Sequence, residues 1–436
     1  MNAAAPAAPR LTLPEQSGTA LPSVSWNQEF CHGAWVLSSY ADVSTALRDP
    51  RFSVQRSRRW INSSIDPART DRTQRIAEQH QLRAFKRILS RSLLFLDGHS
   101  HTRLRRVMQA GFSAAALQRQ APAISAIAER LIQQILARAS VNASGATVVE
   151  FDFIRDFARP LPILVIAELL GITLDGHSGF VAAASAIAAF IGSPTPTMPL
   201  ALAAQEALTQ LLTHFHHEIA LRRTQPRDDL VGQLMEAEST GAISAMEMLA
   251  QCCTLLFAGY ETTRHLLGNG VLALLQHPLQ WQALQASPER LPRALRELLR
   301  YHSPVQYTGR RLTADLEWHG QQLRRGQLVI LQIAAANRDP QRFSNPDQLD
   351  ISRDEGNHLA FGHGPHVCIG ATLTYMEAEL AMRALLRALP DLQLQPQGWR
   401  WDSNDAYRGL TTLPLTCVIA PPAVQVSTAS SEPRHG

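Results

Sequence analysis

From Ser244 to His277 the chain runs almost entirely apolar, with Glu247, Glu261 and Arg264 its charged side chains, and Pro278 closes the run. Ser244 followed three positions later by Glu247 is a capping-box pattern, so the segment reads as one helix that starts at Ser244. At 1.5 Å of rise per residue, about 33 residues span about 50 Å, enough to cross a whole domain. Such a rod must be enclosed by other elements. The composition permits this: among 436 residues, 45% are hydrophobic and 18% charged, against about 25% charged in an average soluble protein. Disorder is excluded by the same figures.

Apolar residues recur at helical spacing around 101–139, 151–170, 200–222, 291–301 and 370–389. Strand signals are fewer: 33–37, a hairpin-like stretch at 316–333 with turns at Gly320 and Gly326, and a short 413–419. The Ala-rich stretch 182–202, with Pro194, Pro196 and Pro199, reads as a flexible connection between two helices. The expected fold is mainly α with small peripheral β-sheets. A single domain is expected over 26–420, between loose Ala/Pro/Ser-rich ends at 1–25 and 421–436.

Several function classes drop out. A formal net charge of +4, evenly spread, does not mark a nucleic-acid binder. Lys86 is the single lysine and the other basic side chains are arginines, so Schiff-base and Walker-type phosphate chemistry lack their residue. Five cysteines, Cys31, Cys252, Cys253, Cys368 and Cys417, are an odd number and do not form a disulfide framework. No signal peptide is visible, and the longest apolar stretch, 180–191, falls short of the roughly 20 residues that span a bilayer. A cytoplasmic protein without membrane attachment is the expectation.

The most specific chemistry lies in Phe361-Gly362-His363-Gly364-Pro365-His366-Val367-Cys368-Ile369-Gly370, which ends where the helical run 371–389 begins. A thiol at a helix N-terminus faces unpaired N–H groups, which predicts a lowered pKa and a thiolate ligand. The glycines allow sharp turns and close backbone approach to a flat ligand. Taken alone, Cys368 is as readily a small buried side chain after a turn. All ten positions together resemble the haem-binding loop of the cytochrome P-450 family, F-x-x-G-x-H/R-x-C-x-G, at every fixed position. The resemblance implies haem b (iron protoporphyrin IX), with Cys368 as axial ligand whose thiolate favours O–O cleavage. It also implies that His366 bonds a haem propionate and that Phe361, Gly362 and Gly370 shape the loop.

In the middle of the long helix stands Ala258-Gly259-Tyr260-Glu261-Thr262-Thr263. An acid and two hydroxyls are costly inside an apolar helix unless paired. Thr262 bonding back to the Ala258 carbonyl is one account. The segment is also similar to the family's oxygen-binding motif, A/G-G-x-D/E-T-T/S. That likeness implies that Ala258 and Gly259 make room for O2, Thr262 holds a water or the oxygen, and Glu261 relays protons.

Other positions agree with the family. His101 and Arg105, four apart on one helical face, together with Arg310, match haem-propionate contacts. Glu297 and Arg300, three apart, resemble the family's buried ion pair, although an E-x-x-R spacing is equally that of a surface pair. The third member of that network is open, because the segment after Asn337–Pro340 reads Pro346-Asp347-Gln348-Leu349; Arg353 is the candidate. Arg103 and Arg106 are candidates for docking an acidic ferredoxin. Arg56, Arg58 and Arg59 beside Trp60 read as a polar loop. His214, His216, His217 and Glu218 suggest a metal site but fit a solvated helix face better.

The implied activity is a soluble bacterial-type monooxygenase, covering nearly all of 25–420. It takes electrons from a ferredoxin or flavodoxin-type donor with its reductase and inserts one atom of O2 into a mainly apolar small molecule, in secondary metabolism. The expected pocket draws on 57–95, 182–202, 255–262, 305–307 and 410–411. The rivals are a peroxide-driven enzyme of the same fold, which the Glu261–Thr262 pair disfavours, and a non-catalytic haem sensor or carrier.

Overall fold

The computed structural model describes residues 23–28, 30, 33–55, 82–173, 177–194 and 196–419. The expectations for the chain ends before 23 and after 419, for Cys31, for the arginines beside Trp60, and for pocket residues 57–81 fall outside these residues. In chain order the helices are α1 (Tyr40–Arg48), α2 (Arg83–Leu89), α3 (Gly98–Gln109), α4 (Ala114–Leu136), α5 (Pro160–Leu170), α6 (His177–Gly192), α7 (Met198–Thr224), α8 (Leu230–Ser239), α9 (Ala245–Gln276), α10 (Pro278–Ala286), α11 (Leu291–Tyr301), α12 (Ile333–Ala336) and α13 (Ala371–Ala388).

The long helix forms as expected. Ser244 accepts from the Glu247 N–H while the Glu247 carboxylate accepts from the Ser244 N–H, and both halves of the capping box are made. Helices α5, α6, α7, α11 and α13 all pack against α9. From Met248 to Leu274 every residue of α9 is buried except Ala258, Gly259 and Thr262. Each fully buried leucine on this rod contributes about 2 kcal/mol. Gly268 permits close packing, since a Cβ there would lie 2.6 Å from Ile154 Cδ1.

The β-structure sits at the periphery. One five-stranded sheet orders Val24–Asn27, Ala34–Leu37, Leu328–Leu331, Thr308–Leu312 and Phe52–Ser53, with the second and third strands parallel. A four-stranded sheet orders Leu392–Leu394, Pro414–Val418, Thr147–Asp152 and Ser140–Val141. Two further pairs are Leu316–Trp318 with Gln321–Leu323, and Arg400–Trp401 with Leu410–Thr412.

Five expectations are corrected. The segment 101–139 is two helices, because Ser113 caps α4 by accepting from the Ala116 N–H and Gly111 presses against Leu230, where a Cβ would lie 2.5 Å from Cδ1. The start of 151–170 is strand: Phe151 and Asp152 end the strand Thr147–Asp152, where they pair with Leu415 and Pro414, and a π turn at Ile154–Ala158 leads into α5. Residues 182–192 belong to α6 rather than to a connection, since alanine is the strongest helix former, and Thr197 caps α7 directly after the prolines begin. The hairpin ends at Leu323, turning through His319 and Gly320 at positive φ, while Leu328–Leu331 joins the larger sheet. Residues 24 and 25 also belong to a strand rather than a loose end.

Candidate active site

The cysteine loop is built on two left-handed glycines, Gly362 at φ +73° and Gly364 at φ +75°. Gly364 lies so close to α1 that a Cβ would meet Arg48 Cγ at 2.9 Å and the Leu47 carbonyl at 3.1 Å. Gly370 has an ordinary φ of −86° and serves as the N-cap of α13. The Cys368 N–H donates to the Phe361 carbonyl at 2.8 Å, closing the loop two residues before that helix. Cys368 is exposed, its thiol accessible on one side while protein atoms crowd it on the others. Burial therefore pushes its pKa up, ahead of the lowering by the Gly370 and Ala371 N–H groups and Arg105. The expected lowering at the helix N-terminus is present but loses to desolvation.

Beside the loop, the rings of His101 and His366 lie 4.1 Å apart at 46°. His101 is 4% exposed, and its Nε2 has no hydrogen-bond partner among the described residues. Burial, helped by His366 and Arg105, brings its pKa down to about 4. Arg105, one turn on, is half-buried; burial lowers its pKa while Cys368 acts the other way. Its guanidinium therefore lies within electrostatic reach of the thiol. Arg310 is buried on Thr308–Leu312, where Nη1 donates to Thr308 Oγ1 and to the Gly309 carbonyl, both at 2.9 Å. Asp97, which sequence reasoning missed, takes His366 Nε2 at 3.1 Å and Ser53 Oγ at 2.5 Å. Burial works against its charge, but the bonds from His366, Ser53 and Val54 outweigh it and hold the carboxyl below the usual carboxylate range.

Between Met248 and Leu274 the three residues of α9 that are not buried, Ala258, Gly259 and Thr262, share one face at i, i+1 and i+4. Thr262 Oγ1 donates to the Ala258 carbonyl at 3.2 Å, so the back-bonding account holds. Glu261 is on another face, buried. It accepts from Ser185 Oγ of α6 at 2.5 Å and pairs with Arg264 at 2.7 Å. Arg264 reaches onward to His265 Nε2, the Leu410 carbonyl and, at 3.7 Å, Asp402. His265 is pushed well below its ordinary value by burial and by Arg264. The helical spacing of Glu261, Arg264 and His265 was a signal for this cluster; Ser185 carried none.

Beneath the loop the E-x-x-R pair is buried. Arg300 Nε and Glu297 Oε2 are 2.7 Å apart, Arg300 also donates to the carbonyls of Asn337, Pro346 and Gln348, and Arg353 closes the network on Glu297 at 3.2 Å. Arg353 is thus the third member. Arg103 is not a free docking residue: it donates to the Ala242 carbonyl and pairs with Glu247, tying α3 to the start of α9. Arg106 is exposed. No metal-ligating cluster occurs among the described residues; His216 and His217 are exposed, while Glu218 pairs with buried Arg222. Leu410 is fully buried in the core, and half-buried Thr411 bonds the Arg400 carbonyl. Glu377, on the buried face of α13 four residues after Leu373, was also missed although its spacing announces it.

The cytochrome P450 family model matches residues 32–417. Cytochrome P450 107B1 of Saccharopolyspora erythraea is 37% identical over 389 residues, 88% of this chain and 89% of that protein. Cytochrome P450 monooxygenase PikC of Streptomyces venezuelae is 34% identical, over 87% of this chain and 84% of its own. Among solved structures, epothilone D-bound cytochrome P450epoK superposes with a TM-score of 0.78 at 27% identity, covering 91% of this chain and 94% of that one. This chain belongs to the cytochrome P450 family, whose members are haem-containing monooxygenases. Its residues fit that cofactor: a buried imidazole nitrogen without a partner, an accessible thiol and an arginine held near it are the donor set a dianionic porphyrin with carboxylate arms requires. No helix among the described residues is long and apolar enough to cross a membrane.

Proposed function

We propose that this chain holds haem b through Cys368 and oxidises a mainly apolar small molecule of secondary metabolism with O2. Electrons come from a separate ferredoxin or flavodoxin-type donor with its reductase. The observation that carries this reading is the position of Cys368: an accessible thiol on a glycine-turned loop, with His101, His366 and Arg105 gathered beside it. When bound, the haem supplies dioxygen activation, which an electron-rich thiolate ligand favours.

The side chains have separate tasks in this reading. His101, Arg105, His366 and Arg310 donate to the two propionate carboxylates. Phe361, Gly362 and Gly370 set the course of the loop, and Ala258 and Gly259 leave room above the porphyrin. Thr262 spends its hydroxyl hydrogen on the Ala258 carbonyl, so its oxygen is an acceptor for a water or an oxygen atom at the distal side. Glu261, one residue away, is the proton relay, clamped as a carboxylate by Ser185 and Arg264. To pass a proton toward Thr262 it must turn from Arg264 and first take one up from solvent, so the clamp keeps stray protons out between turnovers. The presence of both the acid and the alcohol favours O2 over peroxide as oxidant.

The relatives support the setting. They include PikC and a protein described as polyketide biosynthesis cytochrome P450 PksS, of Bacillus subtilis, 32% identical. A pocket drawn from 182–202, 255–262 and 305–307 suits a medium-sized, largely apolar molecule. The test is the reduced carbon monoxide complex of the purified haem protein. Wild type is expected to give the red-shifted Soret band of thiolate ligation, and Cys368→Ala to lose it together with haem. An unchanged band in Cys368→Ala removes the assignment.

A further inference from the structure

Asp97 stands at the N-cap of α3, where an aspartate ordinarily accepts from the N–H groups of the first turn. It makes no such cap bond. Its carboxylate is turned instead into a junction between three distant parts of the chain. Oδ2 accepts from Ser53 Oγ at 2.5 Å and from the Val54 N–H at 3.2 Å, while Oδ1 accepts from His366 Nε2 at 3.1 Å. Each partner leads to one of the proposed propionate donors. Asp97 opens the helix that carries His101 and Arg105; Ser53 pairs in register with Arg311, next to Arg310; and His366 lies two residues before Cys368.

We propose that Asp97 is a positioning residue that fixes the His366 ring against His101 and so aligns the carboxylate-binding end of the haem site. The inference rests on the haem reading given above. His366 ends a short turn, Gly364–His366, that follows two left-handed glycines, so its backbone alone does not set its ring. Among the described residues the bond to Asp97 is the one hydrogen bond of that ring. An acceptor with two oxygens is required, because His366 and Ser53 both donate. Asparagine offers one. Close to the N-terminus of α3 the negative charge is also favoured by the helix dipole, which holds the carboxylate in place without a cap bond.

The experiment follows haem transfer from the ferric holoenzyme to excess apomyoglobin at the Soret band. Asp97→Asn is expected to speed transfer about tenfold, the usual scale for losing a group that orients a ligand-binding side chain. In a His366→Ala background the same substitution is expected to add less than about twofold, since a residue acting through His366 has nothing left to orient. Ser53→Ala, which spares the His366 bond, is expected to keep the wild-type rate. If Asp97→Asn does not accumulate as a haem protein, Asp97→Glu, whose extra methylene displaces the carboxylate, takes its place under the same comparison. Equal acceleration with and without His366, no acceleration at all, or a Ser53→Ala rate matching Asp97→Asn overturns the proposal. A wild-type protein without the thiolate band fails the haem reading instead, and the two failures are read on different spectra.

Discussion

At the scale of single residues, the molecule separates an acid from an alcohol that are neighbours in sequence. Thr262 lies on the accessible face of α9 and Glu261 on a buried one, held by Ser185 and Arg264. Removing the Thr262 hydroxyl leaves the acid and its clamp intact but takes away the acceptor proposed for the distal side. Thr262→Ala is therefore expected to keep consuming NAD(P)H while releasing peroxide, with product per NAD(P)H falling several-fold. Peroxide and product assayed together with any oxidised substrate check this, and tight coupling in the variant sinks the role given to Thr262. The Thr262 back-bond and the E-x-x-R pair were legible because their spacing is local. Asp97 and Ser185 were not, since their partners lie 269 and 76 residues away, and an aspartate before a helix reads first as a cap.

Among the elements, strongly periodic helices appear where the spacing places them, as 291–301 and the long helix do. The misread segments share a physical cause. Phe151 and Asp152, read as the start of a helix, close a strand instead, and only pairing with Leu415 and Pro414 decides between the two. Alanines near prolines at 182–192 look loose in sequence but pack as α6 against α7 and α9. The cysteine loop is the least forgiving element. Gly364→Ala puts a Cβ at positive φ and within 3.1 Å of the Leu47 carbonyl, a backbone atom that α1 holds in place. A loss of about 1–3 kcal/mol is expected for the holoprotein, read from urea midpoints, whereas Gly145→Ala, with open space around it, bears only the cost of its positive φ. A variant at Gly364 no worse than the one at Gly145 argues against the close packing of loop on α1.

For the whole molecule, one buried acid links folding to pH. Glu377 is 3% exposed on α13, its Oε1 has no hydrogen-bond partner, and burial alone pushes its carboxyl up from 4.5 to about 8. Between those values the folded chain binds more protons than the unfolded chain, so stability falls as pH rises through the window and levels off above about 8. The decline attributable to this group is of the order of a few kcal/mol. Glu377→Gln removes it. Urea midpoints at pH 5.5 and 8.5 are expected to draw together in the variant, with the gain concentrated at the alkaline end; an unchanged gap assigns the decline to other groups.

The gap in the burial of α9 has a broader meaning. Twenty-odd neighbours on that rod are committed to holding the protein together, while the small patch at Ala258, Gly259 and Thr262 is not. In the proposed function this patch is what a guest meets, and its own side chains bear little of the packing. New preferences among guests can therefore arise by exchanging a few groups at the rod's midpoint, without renegotiating the architecture that carries them.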